Sequence, residues 1–345
     1  MDRGVCQGGL SVAPQFGRRG GGIGNEVFPL AKAYIASDAL GAKLVEQPWW
    51  LNPRGYGSHL GSNVASPIFS FIAGGLVPAF DIPEQRIAPF RTYREAMASI
   101  GESLPSSYVL RHTSGMFGGY AGIVDARGFL AGRLGVGDAK RSASERIISI
   151  HLRGTDFSPG TLMPGQFNTR IPLEWSTATA GAIAQGLEGP IAFRICADSN
   201  LQGSEALRWI SGSLSAMGEV RYERQSAWED LHALVASDFI VPSISSFSML
   251  AIFLSNARYV WPASHLNRVG PYGSIWHHEP RVSAMFTPAA IEWAQLRDDL
   301  SDYRSYACGL EDLKRVSEWA AGADSRAHYD ERGDLIMYGV TPLLR

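Results

Sequence analysis

The stretch His151-Leu152-Arg153-Gly154-Thr155-Asp156-Phe157 puts an arginine directly behind an apolar run. A guanidinium at the end of a buried strand is costly unless it meets an anion or a carboxylate. Two partners fit. The planar guanidinium fork of Arg153 suits the oxygens of a diphosphate, and it equally suits the Asp156 carboxylate in an ion pair that closes the turn. Three further stretches carry similar chemistry. Gly20-Gly21-Gly22-Ile23-Gly24-Asn25-Glu26 leads into a helix. Its glycines let a ligand approach the backbone, and a helix start offers N–H groups to an anion; the same residues also suit a surface turn with Asn25 as N-cap. Cys196-Ala197-Asp198-Ser199-Asn200 sets a carboxylate where it can accept hydrogen bonds from a purine or a ribose, or cap the next helix. Pro242-Ser243-Ile244-Ser245-Ser246-Phe247-Ser248 crowds hydroxyls at a helix start, which suits a phosphate or ordinary capping.

The elements that must position these residues are clearest in the second half. Apolar, β-branched runs predict strands over 145–153, 190–198, 219–223, 238–242 and 257–263. Helices are expected over 173–187, 204–217, 226–237 and 246–256, the third opening on a Ser226/Glu229 capping box. Strands alternating with helices imply parallel βαβ units and a doubly wound sheet, in which ligands bind beyond the carboxyl ends of the strands. The first half is less regular: strands over 10–16 and 42–49 flank a helix from about Val27 to Leu40. Pro29 fits best in the first turn of that helix, which sets the expected start near Asn25. Residues 288–321 read as helical again. The domain boundaries expected from this pattern are 1–144, 145–287 and a helical segment over 288–345.

The 345 residues suffice for two domains, and 45% hydrophobic against 19% charged residues supplies material for packed cores. A formal net charge of −2 argues against a nucleic-acid binder that works by bulk electrostatics. Cys6, Cys196 and Cys308 are far apart and lack metal-type spacing, as in a cytosolic protein with reduced thiols. His277-His278-Glu279 has no third ligand in view, and no Asp-x-Asp ends a strand, so no metal is expected. Neither a leader peptide nor a membrane span is legible, which predicts a cytoplasmic protein that works at a membrane surface, if at all, through partners.

Taken in order, four blocks carry a resemblance. GGGIGNEVFPLAKAYIAS, ISIHLRGTDF, CADSN and WEDLHALVASDFIVPSISSFSMLAIFLSN resemble, in sequence order and across about residues 17–262, the motifs of the α-1,2-fucosyltransferases and protein O-fucosyltransferases. The resemblance implies a GT-B-like α/β fold of two Rossmann-like domains facing each other across a nucleotide-sugar cleft. It implies an inverting, metal-independent transfer of fucose from GDP-fucose, or of the sugar of a related GDP-sugar, to a glycan or polysaccharide hydroxyl, with no bound cofactor. Carried over, Arg153 binds the β-phosphate and Asp198 reads the guanine edge with main-chain help around His151. Ser245, Ser246 and Ser248 line the phosphate site, and Gly22, Gly24 and Asn25 sit over sugar and diphosphate. Asp156 is the first candidate for the base and Glu26 the second. The chain departs from the pattern at Gly154, where the α-1,2 enzymes have a second arginine, at Ser199, usually acidic, and at Met249 and Leu250, often a tryptophan pair. The alternatives are a different sugar nucleotide or a non-catalytic nucleotide-sugar or glycan binder.

Overall fold

A computed structural model describes residues 11–14, 22–44, 79–82, 84–87, 90, 92–103, 109–112, 119–137, 144–154, 173–198, 201, 203–222, 226–243, 245–261, 328–329 and 336–338. The chain divides into two compact units after Gly137. In the first, strands β1 (Ser11–Pro14), β2 (Lys43–Leu44), β3 (Ala79–Asp81) and β4 (Val109–His112) form a parallel sheet in the order β2-β1-β4-β3.

Helix α1 (Ile23–Leu40) connects β1 to β2 and packs on β1 and on the helix Tyr93–Ile100. Its apolar residues Ile23, Val27, Phe28, Leu30, Ala31 and Ile35 are all buried. Here the structure corrects the sequence reading. The cap is Gly22, whose carbonyl accepts the N–H groups of Asn25 (2.9 Å) and Glu26 (3.2 Å), so α1 starts at Ile23 and Pro29 lies in its second turn. Proline there removes the helical bond to the Asn25 carbonyl and strains the turn. Burial of the apolar face, at about 1.5–3 kcal/mol for each large side chain, is large enough to override that cost. The Tyr120 hydroxyl also ties down this first turn by donating to the Gly24 carbonyl at 3.1 Å.

The second unit follows the alternation in the sequence closely. Strands β5 (Arg146–Leu152), β6 (Ile191–Ala197), β7 (Glu219–Tyr222), β8 (Phe239–Val241) and β9 (Arg258–Trp261) are mutually parallel. The helices Leu173–Gln185, Glu205–Leu214, Ala227–Val235 and Ser246–Leu254 make the four crossovers. The strand order β9-β8-β5-β6-β7 reverses direction beside β5. The first two of these helices pack on each other, as do the last two; right-handed crossovers put the two pairs on opposite faces. Residues 288–321, expected to be helical, lie outside the described residues; further on, β10 (His328–Tyr329) pairs antiparallel with β11 (Ile336–Tyr338), which pairs antiparallel with β9. Among the described residues, no helix is long and apolar enough to cross a membrane.

Strand β5 is the centre of the second unit, buried along its whole length after Arg146. Its entry is fastened by Asp238, just ahead of β8. The buried carboxylate accepts the Ile147 N–H at 2.9 Å and pairs with Arg146 at 3.4 Å, while the Asp238 N–H donates to the Ile147 carbonyl. Asp238→Ala strands the Ile147 N–H, so urea unfolding should show a loss of about 1–3 kcal/mol with an unchanged m value. A loss below about 0.5 kcal/mol, the usual range of neutral surface changes, contradicts this role.

Candidate functional site

Where the strand order reverses, the connections leave β5 and β8 for opposite sides, the topology that in open parallel sheets makes a ligand crevice at the carboxyl ends of the strands. The structure brings together there, from three strand ends, most of the residues singled out in the second half of the sequence. His151 is the last residue but one of β5, Arg153 and Gly154 follow the strand, Asp198 follows β6, and Ser243, Ser245, Ser246 and Ser248 follow β8.

Two hydrogen-bonded clusters result. In the charged one, Arg153 donates through Nη1 to Asp198 Oδ1 at 3.1 Å, and the Gly154 N–H donates to Asp198 Oδ2 at 2.8 Å. The Asp198 N–H donates in turn to the Leu152 carbonyl at 3.2 Å. The two side chains keep 23% and 16% of their exposure, so the pair is half-buried and still reachable from solvent. Asp198 does not cap the helix that follows; Ser204 does, accepting the Leu207 N–H at 3.2 Å.

The neutral cluster is deeper. His151 Nδ1 lies 2.6 Å from the Ser248 hydroxyl and 3.0 Å from that of Ser243. The Ser243 hydroxyl also meets those of Ser245 (2.9 Å) and Ser248 (3.1 Å). Ser245 caps the helix Ser246–Leu254 by accepting the Ser248 N–H at 3.2 Å. His151, Ser243, Ser245 and Ser248 are all at most 5% exposed. The hydroxyls of Ser245 and Ser248 are thus engaged internally, and Ser246 and Phe247 are the more exposed residues of this helix start.

Burial, with the Arg153 charge behind it, drives the His151 pKa down to about 3 against the opposing pull of Asp198. The ring is therefore neutral at physiological pH, with one nitrogen donating and the other accepting. On the helix Ala227–Val235, burial pushes Asp230 up to about 6, helped by the charges of Asp198 and Glu229 and opposed by a hydrogen bond from Cys196. The Cys196 thiol is itself raised, first by burial and then by Asp230, which makes it a poor nucleophile.

The expected residues of the first half belong to the other unit. Gly22 caps α1 in an extended conformation, Gly24 and Glu26 are buried, and the Asn25 side chain is exposed. Asp156, Gly20, Gly21, Ser199 and His277-His278-Glu279 lie outside the described residues. Among the described residues, no group of three or more His, Cys, Asp and Glu side chains is arranged to hold a metal ion. Sequence reasoning passed over Ser243. It stood in the quoted serine run, two residues ahead of the cap, but the contact that matters reaches His151, 92 residues earlier.

No protein-family model and no curated sequence matches this chain. Two crystal structures of POFUT1 in complex with GDP-fucose, in different crystal forms, align with 73% of this chain and with 95% and 96% of their own, at 14% identity and a TM-score of 0.39. A likeness of that degree carries no argument here.

The neutral imidazole has a measurable consequence. A histidine whose folded pKa is depressed binds its proton more readily when unfolded, so its contribution weakens as pH falls below about 6.5 and is lost toward 3, with a slope of at most about 1.4 kcal/mol per pH unit. Asp230, raised in the fold, contributes with the opposite sign between about 6 and 4. Comparing the parent with His151→Gln cancels the Asp230 contribution. The stability advantage of the parent should shrink from pH 7.5 to pH 5 in urea titrations. A pH-independent difference means that His151 titrates as an ordinary histidine.

Proposed function

We propose that the chain is a glycosyltransferase that takes its sugar from a nucleoside-diphosphate donor, with GDP-fucose the donor and a glycan or polysaccharide hydroxyl the acceptor. The observation that carries this reading is a half-buried Arg153–Asp198 pair beside a serine-capped helix start, at the point where a parallel sheet reverses its strand order. A guanidinium, a carboxylate and a helix N-terminus at such a point suit, respectively, a diphosphate, the N–H edge of a base and phosphate oxygens. The four ordered sequence blocks support guanine and fucose in particular, as well as the arrangement of two Rossmann-like domains.

In the proposed reaction, the acceptor oxygen bonds to C1 of the sugar from the face opposite the diphosphate. The C1–O bond breaks, and its electron pair stays on the β-phosphate oxygen. Charge grows on that oxygen in the transition state, so a donor aimed there lowers the barrier; one such donor is commonly worth about 10²–10³ in rate. Arg153 and the start of the helix Ser246–Leu254 supply donors without a metal. The acceptor proton passes to a base, for which Asp156 stands first and Glu26 second. The resemblance also assigns Gly22, Gly24 and Asn25 to sugar and diphosphate, and of these Asn25 is the one with an exposed side chain.

One observation favours a second reading. Arg153 already shares its charge with Asp198, and Gly154 offers an N–H in place of a second guanidinium. A protein that binds a nucleotide sugar without transferring it needs no more than this.

Two measurements test the proposal. GDP titrated by calorimetry in EDTA should bind within about tenfold, some 1.4 kcal/mol, of its affinity with excess Mn²⁺; a larger loss in EDTA means that a metal bridges the diphosphate. Release of GDP from GDP-fucose in the presence of a glycan mixture separates enzyme from binder. Arg153→Ala should lower that release by at least about 10²-fold, with Arg153→Lys restoring binding better than turnover. The stability cost of Arg153→Ala should stay near 1 kcal/mol, because the pair is part-exposed and screened. A cost of several kcal/mol that disappears in the double variant Arg153→Ala/Asp198→Ala assigns the pair to structure alone.

A further inference from the structure

The proposed function does not use Ser243, yet this residue joins His151 at the end of β5 to Ser245 and Ser248 at the helix start. It follows β8 after Pro242 and is 5% exposed. Its N–H donates to Ser248 Oγ at 3.1 Å, and its carbonyl accepts the Ser245 N–H at 2.9 Å. Its hydroxyl lies within hydrogen-bond distance of His151 Nδ1, Ser245 Oγ and Ser248 Oγ, at 3.0, 2.9 and 3.1 Å. One side chain thus ties the end of β5 to both the cap and the first turn of the helix Ser246–Leu254.

The protons in this cluster are constrained. Ser248 Oγ accepts the Ser243 N–H, and Ser245 Oγ accepts the Ser248 N–H. The ring of His151 is neutral and offers Nδ1 either as one donor or as one acceptor. The single Ser243 proton therefore selects among three neighbours. Given to Ser245, it leaves the Ser245 proton without a role inside the cluster. Given to Ser248 or His151, it draws the Ser245 proton inward. Either way the positions of the cap oxygen and of the first-turn N–H groups are set through Ser243. Arg153 follows His151 by two residues on the same strand end, so the same contact also fixes the spacing between the helix start and the guanidinium.

We propose that Ser243 is a positioning residue of the nucleotide site, holding the start of the helix Ser246–Leu254 at the distance from Arg153 that a diphosphate spans. The assignment rests on the nucleotide reading. Its effect falls on ligand affinity and not only on stability, and a matched control separates the two. Ser149 is fully buried on the same strand, two residues before His151, and its hydroxyl bonds to that of Ser237 away from the crevice. Ser149→Ala therefore removes a buried hydroxyl contact of β5 without touching the helix start.

The experiment measures GDP affinity by calorimetry and unfolding by urea, for the parent, Ser243→Ala and Ser149→Ala. Both variants should unfold at lower urea. Ser243→Ala should weaken GDP binding at least tenfold, whereas Ser149→Ala should stay within about twofold of the parent. Ser248→Ala, which removes the 2.6 Å contact to His151, should weaken GDP in the same direction and so guards against failure of one variant to fold. If Ser243→Ala and Ser248→Ala bind GDP as the parent does, the cluster is purely structural and the assignment is overturned while the nucleotide reading stands. If Ser149→Ala weakens GDP as much as Ser243→Ala, affinity merely follows stability, and the assignment is again overturned. A parent that binds no GDP overturns the nucleotide reading itself, and this assignment with it.

Discussion

Strand β5 is buried along its length after Arg146, and its buried polar residues share one face. Successive side chains of a strand alternate, so Ile148, Ile150 and Leu152 point one way while Ser149 and His151 point the other, with Arg153 directly after the strand. A buried polar atom without a partner costs on the order of 1–3 kcal/mol, and each of these three is satisfied differently: Ser149 by Ser237, His151 by the serines after β8, and Arg153 by Asp198 after β6. The same requirement therefore knits three strand ends together. The reversal of strand order decides where that knot lies, because only at the reversal do the loops after β5 and β8 part and leave room for a ligand.

The two clusters at the crevice differ in what they can give up. The serine–histidine cluster is almost wholly out of water and uncharged, so any vacancy in it leaves a stranded donor or acceptor; it is rigid for that reason. The Arg153–Asp198 pair is partly buried but still meets solvent, which screens it. A diphosphate can compete for that guanidinium, and a base edge can share the carboxylate. The rigid cluster sets the geometry and the labile pair answers the ligand. The Asp198 charge acts outward as well, adding to the rise that burial gives the Asp230 carboxyl.

Much of the second sheet was legible because its signals are local. The run 145–153 became β5 at Arg146–Leu152, and the Ser226/Glu229 pattern became a capping box with both of its bonds in place. One misreading has a physical cause. Pro29 marks a helix start by propensity, but packing of the buried face carries α1 back to Gly22. The pairing of Ile336–Tyr338 with β9 joins residues more than 70 apart, which a short strand does not announce. At the site, residue types and loop positions were readable, since a carboxylate, an arginine and a serine run each follow an apolar strand. Their partners were not. Arg153 pairs with Asp198, 45 residues on, and the role of Ser243 exists only once β5 and β8 lie side by side.

The central claim is that the crevice at the ends of β5, β6 and β8 holds a nucleoside diphosphate, and amide hydrogen exchange with and without GDP tests it most directly. Ligand that binds the folded state slows the local openings it closes off. Exchange should slow at Arg153 and Gly154, around Asp198, and from Ser243 to Met249, and stay unchanged in β7 at the far edge of the sheet. Slowing confined to other parts of the chain, with these three strand ends exchanging as they do without ligand, contradicts the site and the function built on it.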